Sequence, residues 1–250
     1  MTDTNSSIRL NKFLAQQGVA SRRGADTLVF DGRVHVNGVV ADSPGIKVAP
    51  GDTVEVDGKP IASTPQDEPT VILLHKPIQT VTTASDPQGR KTVLDLLPQN
   101  LRHQRPFPVG RLDYFSEGLL LLTTDGDLCY RLTHPKWHLP KTYLVVVRGR
   151  VPESAIRTMQ AGMTLREGEK LAPVKVKTRQ PKQNSQVLEM TLIQGINRQI
   201  RRMCRDLDLT ILKLKRISMG PIRLGPLNPG EHRVLSRVET RNLRRAVGLN

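Results

Sequence analysis

Residues 109–126 read VGRLDYFSEGLLLLTTDG. A carboxylate, Asp113, stands between a basic residue, Arg111, and a small-residue turn, Ser116-Glu117-Gly118. Four leucines follow at 119–122, and Thr124-Asp125-Gly126 closes the run. A short apolar run bounded by turn residues predicts a fully buried strand, although leucine is not β-branched. The stretch therefore predicts a charged loop held against a core strand, where a rigid scaffold can present a reactive group. Arg-Leu-Asp taken alone describes a surface loop with one solvated carboxylate just as well, so the rest of the chain has to decide.

Upstream, residues 71–74 signal a strand that ends at His75-Lys76-Pro77, and Asp86-Pro87-Gln88-Gly89 is a turn. Val93, Leu94, Leu96 and Leu97 suit a short helix stopped by Pro98. Downstream, 128–134 suits a helix ended by Pro135, 143–147 is β-prone, and Pro152 opens another helix. Val174 and Val176 alternate with Lys175 and Lys177, and 187–193 gives one more strand. Residues 196–207 read INRQIRRMCRDL. As a helix they set Ile200, Met203, Cys204 and Leu207 in an apolar stripe, with Arg198, Arg201, Arg202 and Arg205 around the rest. That is either a plain basic outer face or a helix with one arginine in a site and others on phosphates. Arg201 and Arg202 point about 100° apart, and spacing does not choose between them. Residues 211–217 alternate as a strand with Lys213 and Lys215 on one face, and 237–245 is a basic helix or arm. Strands outnumber helices and are joined by hairpins and helices, which predicts an α+β fold on a mixed, mostly antiparallel sheet. GxGxxG and regular βαβ alternation are both missing, so a Rossmann fold is not supported.

The first sixty residues form a module of their own. After a polar stretch at 1–7, Ile8, Leu10, Phe13 and Leu14 recur at roughly helical spacing up to Gly18. Ser21 is placed to cap a second helix carrying Ala25, Leu28 and Val29, which Asp31-Gly32 breaks. Val34 and Val36 with Asn37-Gly38 make a hairpin, and Val54 and Val56 mark another strand. ASTPQDEP at 62–69 is short, polar and carries two prolines, and reads as a linker. The expected division is a first domain at 8–62, a linker at 63–69, a larger domain at 70–240 and a basic tail at 241–250.

The chain holds 38 Lys and Arg against 23 Asp and Glu, a net of +15, which points to a polyanionic partner. Residues 1–60 hold seven of each sign, whereas 151–250 hold twenty basic against eight acidic residues, so the positive field belongs to the C-terminal part. Aromatics make up 3%, which disfavours broad stacking platforms. No apolar run is long enough to span a membrane, and no signal-peptide pattern opens the chain. Two cysteines far apart, Cys129 and Cys204, fit reduced thiols in a reducing, cytoplasmic compartment. The histidines show no metal-ligand spacing, and HExxH and GxxxxGK[ST] are missing, which disfavours a metal enzyme or an NTPase.

The first module resembles the small RNA-binding domain of a small-subunit ribosomal protein and of tyrosyl-tRNA synthetases. The matching residues are 9–14, 18–23, 32–38 and Gly51-Asp52; Gly24 departs from the usual pattern, which has Glu there. The resemblance implies that Lys12, Arg22, Arg23 and Arg33 line an RNA-facing surface; the alternative is four solvated charges. Four further blocks stand in a set order: Lys76-Pro77; Gly110-Arg111-Leu112-Asp113 with Ser116 and Gly118; Lys141-Thr142-Tyr143; and Arg198-Gln199-Ile200-Arg201-Arg202-Met203. Behind that module, they make residues 8 to about 240 similar to the RsuA/RluB/RluE/RluF family of bacterial ribosomal RNA pseudouridine synthases, most of all its RluB-like members.

The resemblance implies that Asp113 is the essential aspartate, that Tyr143 packs beside the target uracil, that Arg201 pairs with Asp113, and that Ile200 lines the pocket. Arg111 stands at the mouth, and Lys76, Arg198 and Arg202 are expected on RNA phosphates. Losing Arg201 would leave a desolvated carboxylate unpaired, at about 3–5 kcal/mol for a buried pair. The implied reaction isomerises a uridine of large-subunit (23S) ribosomal RNA and needs no cofactor and no metal. The implied partner is ribosomal RNA or its precursor, bound by a monomer without a membrane. The alternatives are the same reaction at another ribosomal RNA uridine and a non-catalytic ribosome-assembly factor that kept the fold.

Overall fold

The computed structural model describes residues 7–61, 68–179, 181 and 183–249. The chain divides into two compact units, Met1–Glu68 and Pro69–Asn250. Residues 62–67, most of the expected linker, and residues 1–6 of the polar N-terminus lie outside the described residues.

In the first unit, helices α1 (Leu10–Gln16) and α2 (Arg22–Phe30) precede β1 (Val34–Val36), β2 (Val39–Val40), β3 (Val54–Val56) and β4 (Lys59–Pro60), paired antiparallel in the order β2-β1-β3-β4. Ser21 caps α2 by accepting from the Gly24 backbone N–H at 3.0 Å, so the departure at Gly24 does not remove the cap. Asn37 and Gly38 take positive φ in the β1–β2 turn. Leu10, Phe13, Leu14, Ala25, Val29, Val34, Val54 and Val56 form its core.

The second unit is built on one sheet. Its main strands are β5 (Val71–Lys76), β6 (Glu117–Thr123), β7 (Lys141–Arg148), β8 (Lys175–Thr178), β9 (Ser185–Leu192), β10 (Ile211–Met219) and β11 (His232–Val234). They run in the order β8-β9-β7-β10-β6-β5-β11, and among the described residues only β6 and β10 pair parallel. Its longer helices are α3 (Gly126–Thr133), α4 (Glu153–Ala161), α5 (Gln199–Asp206) and α6 (Arg237–Arg245).

All seven residues of β6 are buried, because the strand is covered on both faces. Alternate side chains diverge by the pleat. Leu119 and Leu121 join Val71 and Leu73 under α3 and α6, while Leu120 and Leu122 join Ile72 and Leu74 under Val93, Leu97 and Leu112. A strand buried on both sides reads as a continuous apolar run, which explains four consecutive leucines.

The C-terminal residues correct one expectation. A tail beginning at 241 would cut α6, whose Leu243 is fully buried; Val247 just beyond it is buried too. A capping box of Ser236 and Glu239 starts this helix. Arg244 Nη1 donates to Asp125 Oδ2 at 2.5 Å, tying the basic segment to the loop after β6.

Candidate active site

Asp113 lies on the loop that enters β6. The Val109 N–H donates to Leu121 O at 2.8 Å, Thr82 Oγ1 donates to Leu112 O at 2.8 Å, and Ser116 N–H closes a turn on Asp113 O at 3.0 Å. Beneath the loop, Lys76 is fully buried, and its ammonium donates to Asp113 O at 3.0 Å, Ser116 O at 2.9 Å and Pro77 O at 3.0 Å. Burial pushes the Lys76 ammonium down to about 8, against the opposing pull of Asp113. Its placement on an RNA phosphate is therefore corrected: strand β5 ends inside the protein, and the charge is spent on three carbonyls. Gly118 explains how the loop reaches β10. It has φ +109°, and a Cβ there would come within 3.0 Å of the Arg216 backbone N, C and O. Only glycine admits that approach.

Helix α5 supplies the partner. Arg201 Nε lies 3.3 Å from Asp113 Oδ2, and its Nη2 donates to Phe115 O at 2.9 Å and Ser116 Oγ at 3.0 Å. One guanidinium thus orients the carboxylate and fixes the loop that carries it. The Asp113 side chain is 38% exposed, so the ion pair is solvated rather than desolvated as expected from sequence. Its contribution to stability belongs with exposed pairs, about 0.2–1 kcal/mol. Arg202 turns the other way, onto Glu167 and Glu169, which corrects its expected place on a phosphate. Arg205 joins the same acidic pair through Glu167 at 2.7 Å.

Asp113 opens on a cavity of about 180 Å³, several times the ~30 Å³ of one water in the liquid. Tyr143 from β7, Ile200 and Arg201 from α5, Arg111 and Arg198 also line it. Arg198 has φ +50° at the head of α5 and is exposed, as is Arg111. Sequence reasoning overlooked three lining residues. Lys141 Nζ donates to Leu139 O at 3.0 Å, and burial, then the Arg216 charge, push it down to about 8. Arg216 is 3% exposed; its Nε donates to Leu119 O at 2.6 Å, and its Nη2 has no protein hydrogen-bond partner among the described residues. Gln199 is 5% exposed, with Oε1 likewise unpartnered. The signal for Arg216 lay in KLKRIS, where Arg216 falls on the inward face shared with Leu214. In the first unit, Arg22 and Arg23 are exposed at the start of α2, Lys12 is half-buried, and Arg33 is held by Asp57 in a fork at 2.8 and 2.6 Å.

One loop carboxylate held by an arginine, at a small cavity ringed by cations in a strongly basic chain, is an arrangement suited to an enzyme of a polyanionic substrate. Residues 70–206 match the family model for RNA pseudouridylate synthase, and residues 8–54 match the S4 domain model. The chain is 43% identical to an uncharacterized RNA pseudouridine synthase of Aquifex aeolicus, over 97% of this chain and 96% of that one. It is 40% identical to the ribosomal large subunit pseudouridine synthase B of Bacillus subtilis, over 94% and 95% of the two chains. It is 37% identical to the dual-specificity RNA pseudouridine synthase RluF of Escherichia coli, over 93% and 77%. A crystal structure of a pseudouridylate synthase superposes with a TM-score of 0.67 at 28% identity, covering 95% of this chain and all of that one. The chain belongs to the RNA pseudouridylate synthase family and is an isomerase of RNA.

Proposed function

We propose that this protein converts one uridine of large-subunit ribosomal RNA into pseudouridine, as a cytoplasmic monomer, with Asp113 as the essential anion. What supports the reading is the Asp113 carboxylate, oriented by Arg201, opening on a cavity walled by Tyr143 and Ile200. The printed name of the Bacillus subtilis relative supports the large subunit as the RNA.

Isomerisation breaks the bond from sugar C1′ to N1, turns the base and joins C1′ to C5. The C5 proton is lost and N1 gains one, so product and substrate have the same atoms and the reaction consumes no cosubstrate. Asp113 serves as an anion on either route, attacking as a nucleophile or removing a sugar proton as a base. The base leaves its stack to reach the cavity. Tyr143 offers it a flat face, Ile200 an apolar side, and the exposed Arg111 and Arg198 hold flanking phosphates. Lys12, Arg22 and Arg23 of the first unit add a second contact with RNA. Cys204 and Cys129 are pushed up to about 12 and about 11 by burial, which keeps both thiols protonated near neutral pH.

The test is pseudouridine mapping on unmodified ribosomal RNA by carbodiimide-dependent primer-extension stops. The native protein is expected to make one new stop in large-subunit RNA. Asp113→Asn is expected to bind the same RNA and make none. Loss of binding and chemistry together in a folded Asp113→Asn protein would sink the role of Asp113, and a stop in small-subunit RNA would sink the substrate.

A further inference from the structure

Between the two cavity-lining residues Asp113 and Ser116, the chain turns outward for two positions, and both are aromatic. Phe115 is 64% exposed and Tyr114 37%. Their rings meet edge to face at 5.0 Å and 84°. The backbone under them is fixed. The Phe115 carbonyl accepts from Arg201, the Tyr114 carbonyl accepts from Gln79 N–H at 2.8 Å, and the Asp113 carbonyl takes both Ser116 N–H and the Lys76 ammonium. A phenylalanine ring left largely in water forgoes the burial that its apolar surface would gain. Here it stands on a rigid loop between two residues that line the cavity, and the exposed cations Arg111 and Arg198 line that same cavity.

We propose that Phe115, buttressed by Tyr114, is a stacking ledge for the RNA base adjacent to the uridine in the cavity. The inference rests on the reading that an unstacked uridine occupies that cavity. When the target base leaves the stack, its neighbour loses a partner, and an aromatic face beside the cavity replaces it. Stacking accepts any base, so the ledge contributes affinity for the opened strand and no sequence preference. The guanidinium of Arg201 holds both the ledge and Asp113, so the ledge fixes the flanking nucleotide relative to the carboxylate.

The test compares the native protein with Phe115→Ala, Phe115→Leu and Phe115→Trp. The substrate is a ribosomal RNA fragment carrying the mapped uridine, intact or with each flanking nucleotide in turn made abasic. On intact RNA, Phe115→Ala is expected to lower single-turnover pseudouridine formation, with enzyme in excess of RNA but below saturation, by roughly tenfold or more, Phe115→Leu to fall nearly as far, and Phe115→Trp to restore it. On RNA abasic at the stacked position, native protein and Phe115→Ala are expected to work equally. An equal defect of Phe115→Ala on every substrate would assign the ring a structural role and overturn the ledge, as would no defect on any. Binding of a uridine oligonucleotide, measured alongside, separates the two readings. Equal binding by native protein and Phe115→Ala overturns the ledge whatever the ribosomal RNA does. Ribosomal RNA left unmodified by the native protein overturns only the substrate.

Discussion

Two side chains hold Asp113 in different ways, and their replacement separates placement from charge. Arg201 contacts the Asp113 carboxylate, the Phe115 carbonyl and the Ser116 hydroxyl through a planar fork. Lysine keeps the charge and loses the fork. Arg201→Lys is expected to bind RNA within severalfold of the native protein while its single-turnover rate falls roughly hundredfold, the cost of a misplacement on the order of 1 Å. A full rate would mean that charge alone suffices. Lys76 acts on the backbone of the same loop. In Lys76→Met three carbonyls lose their donor, an expected net loss of about 2 kcal/mol at pH 7 once the relief of a buried charge is counted. The pH dependence has a definite sign. The folded Lys76 titrates at about 8, below its unfolded value of 10.5, so between these values the unfolded chain holds a proton that the folded chain has released. The burial penalty is complete below pH 8 and is relieved as pH rises toward 10.5. Urea unfolding across that window should show the native protein gaining stability relative to Lys76→Met. Parallel curves would place the ammonium's titration elsewhere.

At the scale of elements, the site depends on β6 and β10 lying side by side, and Gly118 sets that distance. Gly118→Ala has to bear both a positive φ and a clash with the Arg216 backbone. Gly225 has φ +65° with nothing within 4 Å of a built Cβ, and serves as the control for φ alone. Gly225→Ala is expected to cost about 1–2 kcal/mol. Gly118→Ala is expected to cost about 3 kcal/mol or more, with the overpacking added. Equal losses in urea titrations would show that the strands move apart freely. The comparison also marks what was legible in the sequence. The leucine run between two turns identified β6, and the i, i+3, i+4 stripe identified α5, because both signals are local periodicities. Gly118 reads as a turn residue, but its contact with Arg216 lies 98 positions along the chain and leaves no local trace. Lys76 was misplaced for the same reason: a lysine at a strand end reads as solvated until the carbonyls of Asp113 and Ser116 are brought over it. Periodicity could not divide Arg201 from Arg202, since only the fold sets Glu167 and Glu169 beside one and Asp113 beside the other.

Over the whole molecule, the count of 38 Lys and Arg overstates the cations that RNA meets. Arg202 and Arg205 are neutralised by Glu167, Glu169 and Asp206, Arg33 by Asp57, Arg233 by Glu239 and Arg244 by Asp125. Burial holds Lys76 and Arg216 out of reach of phosphates. The cations left for RNA in the second unit include the exposed Arg111 and Arg198, together with Lys175 and Lys177 on the outer face of β8. Binding should therefore depend on salt less steeply than the number of Lys and Arg suggests, yet still clearly. About five phosphates neutralised at ~0.7 each in a single strand give a slope near −3.5, or roughly a hundredfold loss between 50 and 200 mM salt. The affinity of Asp113→Asn for large-subunit RNA, titrated over that range, measures the slope without turnover. Lys175→Gln with Lys177→Gln should reduce it by about one to two phosphates' worth, because each removed contact releases one fewer counterion. An unchanged slope would take the face of β8 out of the RNA path and leave the cavity mouth and the first unit to carry the backbone.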